Sequence, residues 1–154
     1  MYCQRIRTPT GVWQIEASDT GVTAITNRLS ALPELPNEYT HAAALQMREY
    51  FDGQRRRFDL QLDLSGTSFQ RQVWNMLLEI PFGSSASYSM IAQRMGKPAA
   101  VRAVAQAIGR NPCLVVIPCH RVLGKDGSLT GFSAGLEVKR NLLRLEHIKW
   151  KENR

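Results

Sequence analysis

A cysteine and a histidine stand side by side near residue 119, where they could supply nucleophilic chemistry. Cys119 lies between Pro118 and His120, at the end of the apolar run 115–117, and Arg121 follows. A thiol reacts as its thiolate, which forms at neutral pH when a nearby cation or general base stabilises it. The sequence therefore predicts an activated Cys119 where a buried strand ends. The Cys-His dipeptide alone does not show that His120 activates Cys119, because neighbouring residues on a strand point to opposite faces.

Positive charge is concentrated around this cysteine. The 154-residue chain has a formal net charge of +7, and no acidic residue stands between Glu79 and Asp126. The interval carries these cations: Arg94, Lys97, Arg102, Arg110, Arg121 and Lys125. A long stretch of one sign favours a surface that faces a polyanion, and a merely basic protein is the alternative.

Composition and cysteine usage indicate a globular protein of the cell interior. Hydrophobic residues make up 44% and charged residues 21% of the chain, and its apolar runs fall short of the ~18 residues that span a membrane. The first residues lack the apolar core of a signal peptide. Three cysteines form no disulfide framework, so we expect free thiols and a cytoplasmic location.

The elements that must position the reactive residues fall into two predicted domains, 1–64 and 65–154. In the first, alternation and turn residues predict strands at 2–7, 12–15, 22–25 and 58–64. A linker at 32–37 and a helix at 41–51 complete a small antiparallel sheet with one helix. This domain shows no catalytic constellation. The fold class is α+β, with a mainly helical second domain.

The second domain begins with a capping box, Thr67 to Gln70, that predicts a helix ending before Pro81. One face of this helix carries Phe69, Val73, Trp74 and Leu77. Two short helices at 87–95 and 98–108 have the spacing of a helix-turn-helix. A last amphipathic helix is predicted at 136–145.

The second helix of the pair has an unusual outer side. Beside its packed positions Val101, Val104, Ala105 and Ile108, it carries Ala99, Arg102, Ala103 and Gln106. Such small side chains would let a helix about 10–12 Å wide approach the narrow minor groove of DNA, ~6 Å across, and Arg102 could enter the base stack. Packing of this alanine-rich face on another protein is an equal alternative.

These residues together resemble a known family. The core Pro118-Cys119-His120-Arg121-Val122 follows 69–74 (Phe-Gln-Arg-Gln-Val-Trp), with Tyr88, Arg102, Asn111, Ser133 and Glu146 at fitting distances. The chain resembles the methylated-DNA–protein-cysteine methyltransferases, the O6-alkylguanine-DNA alkyltransferases, in detail from Phe69 to Glu146. The resemblance implies an RNase H-like first domain and a winged-helix-like helix-turn-helix in the second.

The resemblance also implies a self-sacrificing repair reaction. The protein would flip an O6-alkylated guanine out of duplex DNA and transfer the alkyl group irreversibly to Cys119, in a single turnover. Arg102 would fill the vacated space and Tyr88 would help to rotate the nucleotide. His120 would act as base through a water, oriented by Glu146. Asn111 would link the recognition helix to the active-site strand, and the Tyr88 hydroxyl is a candidate to protonate the leaving guanine.

Further residues are assigned to DNA and to the pocket. Those expected to contact DNA are Arg102, Tyr88, Ala103, Gln106, Arg94, Lys97, Arg110 and Arg121. Those expected to line the substrate pocket are Ser133, Phe132, Gly131, Ala134, Gly135, Val122 and Met90. Ala134 replaces a glycine that is frequent in the family, and its methyl group would narrow the pocket.

No cofactor and no metal are expected. Some members of the family bind zinc in the first domain, but Cys3 and His41 are here too few for a four-coordinate site. Cys113 is interpreted as a small buried apolar residue. The expected partner is double-stranded DNA carrying O6-alkylguanine, bound through the minor groove, with no membrane and with a monomer in solution.

Three other classes compete with this interpretation. A non-catalytic sensor of alkylated DNA would lack the acceptor cysteine, which is present. A helix-turn-helix regulator reading the major groove would leave the Pro-Cys-His-Arg core unexplained. A cysteine hydrolase usually takes its histidine from a distant segment, and a basic, acid-free face does not suit a peptide site.

Overall fold

The computed structural model describes residues 1–152. Within them the elements, in chain order, are β1 (Tyr2–Thr8), β2 (Gly11–Ala17), β3 (Val22–Thr26), α1 (Glu38–Phe51), α2 (Ser68–Leu78), β4 (Ala86–Ser87), α3 (Tyr88–Arg94), α4 (Val101–Gly109), β5 (Val122–Leu123) and α5 (Leu136–Leu145). Short 3-10 turns cover Pro98–Ala100 and Cys119–Arg121. The mixed α/β class is as predicted, while the RNase H-like and winged-helix-like details stay predictions. No helix in this range is long and apolar enough to cross a membrane.

The first of two structural units holds the three-stranded antiparallel sheet, in the order β1-β2-β3. Its core is fully buried and includes Trp13, Ile15 and Met47. Helix α1 begins at Glu38, three residues before the predicted start, because Asn37 caps it and the Thr40 side chain bonds back to the Asn37 backbone.

The strand predicted at 58–64 is wrong. Only one isolated bridge forms there, between Val22 and Leu62, on the side of β3. Two backbone hydrogen bonds join Val22 to Gln61 and Asp63, and the hydroxyls of Ser18 and Thr20 both donate to a carboxylate oxygen of Asp63, at 2.5 and 2.9 Å. The alternating pattern reflected partial burial without a ladder.

The strand predicted before Cys119 is also wrong, although the run is buried as expected. Val115 has φ of +76°, a conformation that interrupts extended backbone. The segment Pro112–Val116 belongs to the first unit, which otherwise spans Met1–Ser65. There the Ile25 N–H donates to the Pro112 carbonyl at 2.9 Å. The long segment of this unit ends at Ser65, next to the predicted boundary between 64 and 65, and the distant segment Pro112–Val116 adds its backbone hydrogen bonds to β3.

The second unit contains the helix pair, formed by α3 and α4. The predicted capping box is present at the start of α2, where Thr67 and Gln70 bond each other's backbone. Trp74 is buried on α2, and its indole N–H donates to the Ala107 carbonyl of α4 at 2.9 Å. This hydrogen bond ties α4 to α2. The outer positions Ala99, Arg102, Ala103 and Gln106 are exposed, as predicted.

Helix α5 ends in a Schellman motif that fixes the residue after it. His147 adopts a left-handed φ of +59°, and the Ile148 N–H bonds the Leu143 carbonyl at 2.9 Å. Leu143 and Ile148 also share an apolar cluster. Glu146 stands at the C-cap and is 2% exposed, so the motif holds a carboxylate inside the unit.

Candidate active site

A short parallel strand pair brings the reactive segment beside the helix pair. In it Ala86 of β4 pairs with Val122 of β5, and Ser87 pairs with Leu123. Tyr88 follows β4 directly, and the 3-10 turn Cys119–Arg121 precedes β5 directly. The pair joins the segment that carries Tyr88 to the segment that carries Cys119, although the two residues are far apart in the sequence.

Cys119 opens into a cavity of about 280 Å³. The lining residues are Tyr88, Ala105, Ile108, Gly109, Cys119, Gly131, Phe132 and Ser133. The thiol is 5% exposed, and the volume lies near the lower end of the ~300–1,000 Å³ typical of small-molecule sites. The cavity thus suits a compact group that reaches a buried sulfur.

A second concavity, of about 710 Å³, carries Arg102. Its lining residues are Tyr88, Ala99, Val101, Arg102 and Ala105. Tyr88 and Ala105 line both spaces, so one tyrosine separates the cysteine from the exposed arginine. A molecule could therefore contact Arg102 with one part and reach Cys119 with another.

The resting thiol of Cys119 is neutral, contrary to the prediction of a lowered pKa. Burial raises its pKa from 9.0 to about 11, against the opposing effects of the Asn111 hydrogen bond and the charge of Lys139. Asn111 also donates from its side-chain amide to the Ile117 carbonyl at 2.7 Å. This is the hydrogen bond expected between the recognition helix and the active-site segment, except that the segment is a turn. Formation of a thiolate at this position would require a base to take the proton.

His120 is held in place by a buried ion-pairing partner. Its Nε2 lies 2.6 Å from Oε2 of Glu146, and both side chains are fully buried. Burial lowers the pKa of His120 and outweighs the pairing with Glu146, which acts to raise it. Burial also acts to raise the pKa of Glu146, but pairing with His120 and Arg121 wins and lowers it to about 2. The carboxylate can only accept, so Nε2 carries the proton and the Nδ1 lone pair remains available.

Nδ1 of His120 has no hydrogen-bonding side-chain or backbone partner among residues 1–152. A histidine whose distal nitrogen bonds a carboxylate, and whose proximal nitrogen is free to accept, has the tautomer that a general base requires.

Arg121 is buried and paired, whereas its charge had predicted an exposed side chain that contacts DNA. The side chain is 6% exposed. Its Nε donates to Oε1 of Glu146 at 2.7 Å, and its Nη1 donates to the Ile80 carbonyl at 2.6 Å. The Gly83 N–H reaches the same Oε1 at 3.1 Å from a turn whose φ of +84° favours glycine. Arg121 therefore neutralises the carboxylate that orients His120.

Two residues near the site were not singled out by the sequence analysis: Lys139, and Thr130 within the loop 129–135 that the resemblance assigns to the pocket. Lys139 is 1% exposed, and its ammonium donates to the Val122 carbonyl at 2.8 Å and to the Thr130 hydroxyl at 3.1 Å. The Thr130 hydroxyl lies 2.9 Å from the Tyr88 hydroxyl. The sequence signal for Lys139 was its place three and four residues before Leu142 and Leu143, on the apolar face of α5.

The remaining pocket predictions divide into two groups. Gly131, Phe132 and Ser133 line the cavity, whereas Ala134, Gly135, Val122 and Met90 are not among its lining residues. Val122 is wholly buried and offers only its carbonyl to Lys139, while Met90 is 38% exposed on α3.

The exposed cations lie in separate places. Arg102 and Arg110 are exposed on and after α4, together with Ala103 and Gln106. Arg94 and Lys97 line a third concavity of about 430 Å³, which shares no lining residue with the cavity at Cys119. The Lys97 ammonium also lies over the Phe69 ring, 5.3 Å from its centre. Their contact with DNA stays a prediction.

Among residues 1–152, no three histidine, cysteine, aspartate or glutamate side chains gather as metal ligands do. All three cysteines are free thiols, and Cys113 is buried, with a pKa that burial raises to about 12. Cys113 lies in the first unit and does not line the cavity. Cys119 is therefore the thiol that the cavity serves.

A family model described as "6-O-methylguanine DNA methyltransferase, DNA binding domain" matches residues 68–148. The inducible methylated-DNA–protein-cysteine methyltransferase of Bacillus subtilis is 53% identical over 103 residues, which are 67% of this chain and 58% of that protein. The methylated-DNA–protein-cysteine methyltransferase of Methanosarcina barkeri is 50% identical over 109 residues, covering 71% of this chain and 69% of that one.

Similarity to a solved structure extends over nearly the whole chain. The crystal structure of Mycobacterium tuberculosis OGT in complex with DNA has a TM-score of 0.87 and 39% identity, and the match covers 95% of this chain and 92% of that one. The chain spans less than two thirds of the length of the Bacillus subtilis relative, 58%. The residues from Phe69 to Glu146, which carry the resemblance, fall within the part that the family model matches.

Proposed function

Because the chain belongs to the 6-O-methylguanine DNA methyltransferase family, we propose that it repairs O6-alkylguanine in duplex DNA by moving the alkyl group irreversibly to Cys119. The observation that carries the proposal is the position of Cys119 in a compact cavity, next in the chain to a histidine that a buried carboxylate orients. The relatives named above share this activity by name.

The nucleophile is generated within the reaction. His120 accepts the thiol proton at Nδ1, through a bridging water, while Glu146 holds Nε2 and stabilises the imidazolium that forms. The low pKa of Glu146 keeps it ionised throughout. A neutral resting thiol is suited to this task, because a buried permanent thiolate would be costly and open to oxidation.

Alkyl transfer is a single displacement. The sulfur of Cys119 forms a bond to the alkyl carbon while the bond from that carbon to guanine O6 breaks and leaves its electron pair on the base. The guanine then takes up a proton, and the Tyr88 hydroxyl, which lines the same cavity, is placed to donate it. Overall, thiol and O6-alkylguanine become thioether and guanine. A thioether is not readily cleaved, so each molecule turns over once.

Recognition of DNA would use the outer face of α4 in the minor groove. The exposed alanines permit a close approach, and Arg102, which lines the concavity beside the cavity, would occupy the space left by the flipped nucleotide. The helix pair would act as a winged-helix-like reader, following an RNase H-like first unit. We further propose a monomer that acts in the cytoplasm, for which the three free thiols are support.

The test is intact mass after mixing the protein with a duplex that carries one O6-methylguanine, followed by peptide mapping. One added methyl group, located on Cys119, is expected. Cys119→Ala should gain none, while Cys113→Ala is the matched control and should gain one as wild type does. Tight lesion binding without any mass gain would instead indicate a non-catalytic sensor. If the protein neither gains a methyl group nor binds the lesion duplex, the proposal is overturned.

A further inference from the structure

The hydrogen bonds behind Tyr88 form a chain that begins at a buried cation. Lys139 Nζ donates to Thr130 Oγ1 at 3.1 Å, and Thr130 Oγ1 lies 2.9 Å from the Tyr88 hydroxyl. Tyr88 and Thr130 are half-buried and Lys139 is 1% exposed. Of these three residues, only Tyr88 has a role in the reaction proposed above.

The direction of the Lys139 hydrogen bonds follows from the donors and acceptors available. The Lys139 ammonium has three protons and three acceptors: the Val122 carbonyl at 2.8 Å, the Thr130 carbonyl at 3.2 Å and the Thr130 hydroxyl. An ammonium cannot accept, so Thr130 Oγ1 must accept from it. The Thr130 proton can then be donated to the Tyr88 oxygen, 2.9 Å away, and this is the direction on which the inference is built.

The consequence concerns the proton of Tyr88. A phenol oxygen that accepts from Thr130 keeps its own proton free to point elsewhere, and Tyr88 lines the cavity that holds Cys119. A chain that starts at a cation also polarises each successive hydroxyl, which makes the last one a better donor. Without the Thr130 hydroxyl, nothing in this network would keep the Tyr88 proton directed into the cavity.

We propose that Thr130 and Lys139 are positioning residues that direct the Tyr88 proton into the cavity, toward the leaving base. The inference rests on the proposed alkyl transfer and assigns neither residue a contact with the substrate. Lys139 has a second effect from the same position, since its charge opposes the rise in the pKa of Cys119. One buried cation thus acts on the nucleophile and, through Thr130, on the group that serves the leaving base.

The test is a double-mutant cycle on the single-turnover rate of methyl transfer, measured with saturating lesion duplex. Thr130→Val removes the hydroxyl at nearly constant shape, and we expect the rate to fall about tenfold, the size of one hydrogen bond in a buried, charge-assisted network. In a Tyr88→Phe background, Thr130→Val should cause no further fall. Thr130→Ser keeps the hydroxyl and should restore most of the rate.

Three outcomes would overturn the inference. In the first, Thr130→Val leaves the transfer rate unchanged. In the second, Thr130→Val lowers the rate equally with and without the Tyr88 hydroxyl. In the third, the rate of Thr130→Ser is as low as that of Thr130→Val. The midpoint of thermal unfolding and the affinity for lesion DNA are measured for every variant, so that a general structural loss is recognised. If wild type itself transfers no methyl group, the proposed function fails, and this is distinguishable from failure of the inference alone.

Discussion

Arg121 and Glu146 form a bidentate ion pair inside the second unit. Nε of Arg121 lies 2.7 Å from Oε1, and Nη2 lies 3.1 Å from Oε2. The second oxygen is the one that His120 contacts, so the arginine and the histidine share a single carboxylate. The residue next to the base therefore fixes the orientation of the base through a third residue, 25 positions along the chain from Arg121.

Replacing Arg121 tests this assignment. Arg121→Met leaves Glu146 buried without its main cation, and the free energy of unfolding should fall by about 3–5 kcal/mol, as for other broken buried pairs. Arg121→Lys keeps the charge but cannot form both hydrogen bonds, so its free energy of unfolding should lie between those of wild type and Arg121→Met. Denaturant unfolding measures the difference.

The matched control for Arg121 is Arg110→Met, at an exposed cation. It should leave stability nearly unchanged but reduce the slope of DNA affinity against salt by about 1, as loss of a phosphate contact does. If a folded Arg121 variant also shows a lower slope of DNA affinity against salt, Arg121 contacts DNA and its assignment as a buried residue is contradicted.

Acid stability should depend on Glu146. Its pKa is about 2 in the folded protein, against 4.5 ordinarily. A lowered folded pKa means that the carboxylate stabilises the fold fully above pH 4.5, and that this contribution disappears as pH falls from 4.5 toward 2. The difference in unfolding free energy between wild type and Glu146→Gln should therefore shrink over that interval. A difference that stays constant with pH would contradict the shift.

Cys119 should react slowly with simple alkylating reagents. With a pKa near 11, the fraction of thiolate at pH 7 is far below that of a free cysteine, whose pKa is ~8.5. The rate of labelling by iodoacetamide should rise steadily from pH 7 to pH 10 without a plateau. Mass mapping of the labelled cysteines measures this site by site, and a plateau below pH 8 would show a thiol that is already activated at rest.

Arg102 should matter for duplex substrates and not for the chemistry. Arg102→Ala removes the side chain that would replace the flipped nucleotide, and flipping costs a few kcal/mol, so transfer from duplex should slow by about tenfold to a hundredfold. The free base O6-methylguanine needs no flipping. Its transfer rate should be unchanged in the variant, and equal losses on both substrates would contradict the role.

His147 offers a stabilising change next to the site. Its φ of +59° is left-handed, and glycine takes this conformation without the steric cost that a Cβ carries. His147→Gly should raise the free energy of unfolding by up to about 1 kcal/mol, measured by thermal or denaturant unfolding. His147→Val, a β-branched residue in the same place, should lower it.

The helical pattern of the second unit was readable from residues close together in the chain. The capping box at Thr67 and the amphipathic faces of α2 and α5 depend on spacing within one or two turns, so they predicted elements with bounds near those observed. The exposed small face of α4 was predicted for the same reason. Apolar burial also predicted that the run before Cys119 lies inside, but burial alone does not specify a strand, and the left-handed Val115 turns the chain there.

Charge and reactivity were decided by the tertiary structure. By sequence, Arg121 and Arg102 are both arginines in an acid-free interval; only the arrival of Glu146 from the end of α5 buries one and leaves the other exposed. The nearness of cations to Cys119 suggested a lowered pKa, but desolvation at 5% exposure outweighs their effect. Thr130 contacts Tyr88 from a distant segment, and Lys139 contacts Thr130. The sequence by itself determined which groups could do chemistry and which helices carry them. The tertiary structure decided their protonation, pairing and access, because these depend on burial and on contacts between residues far apart in the chain.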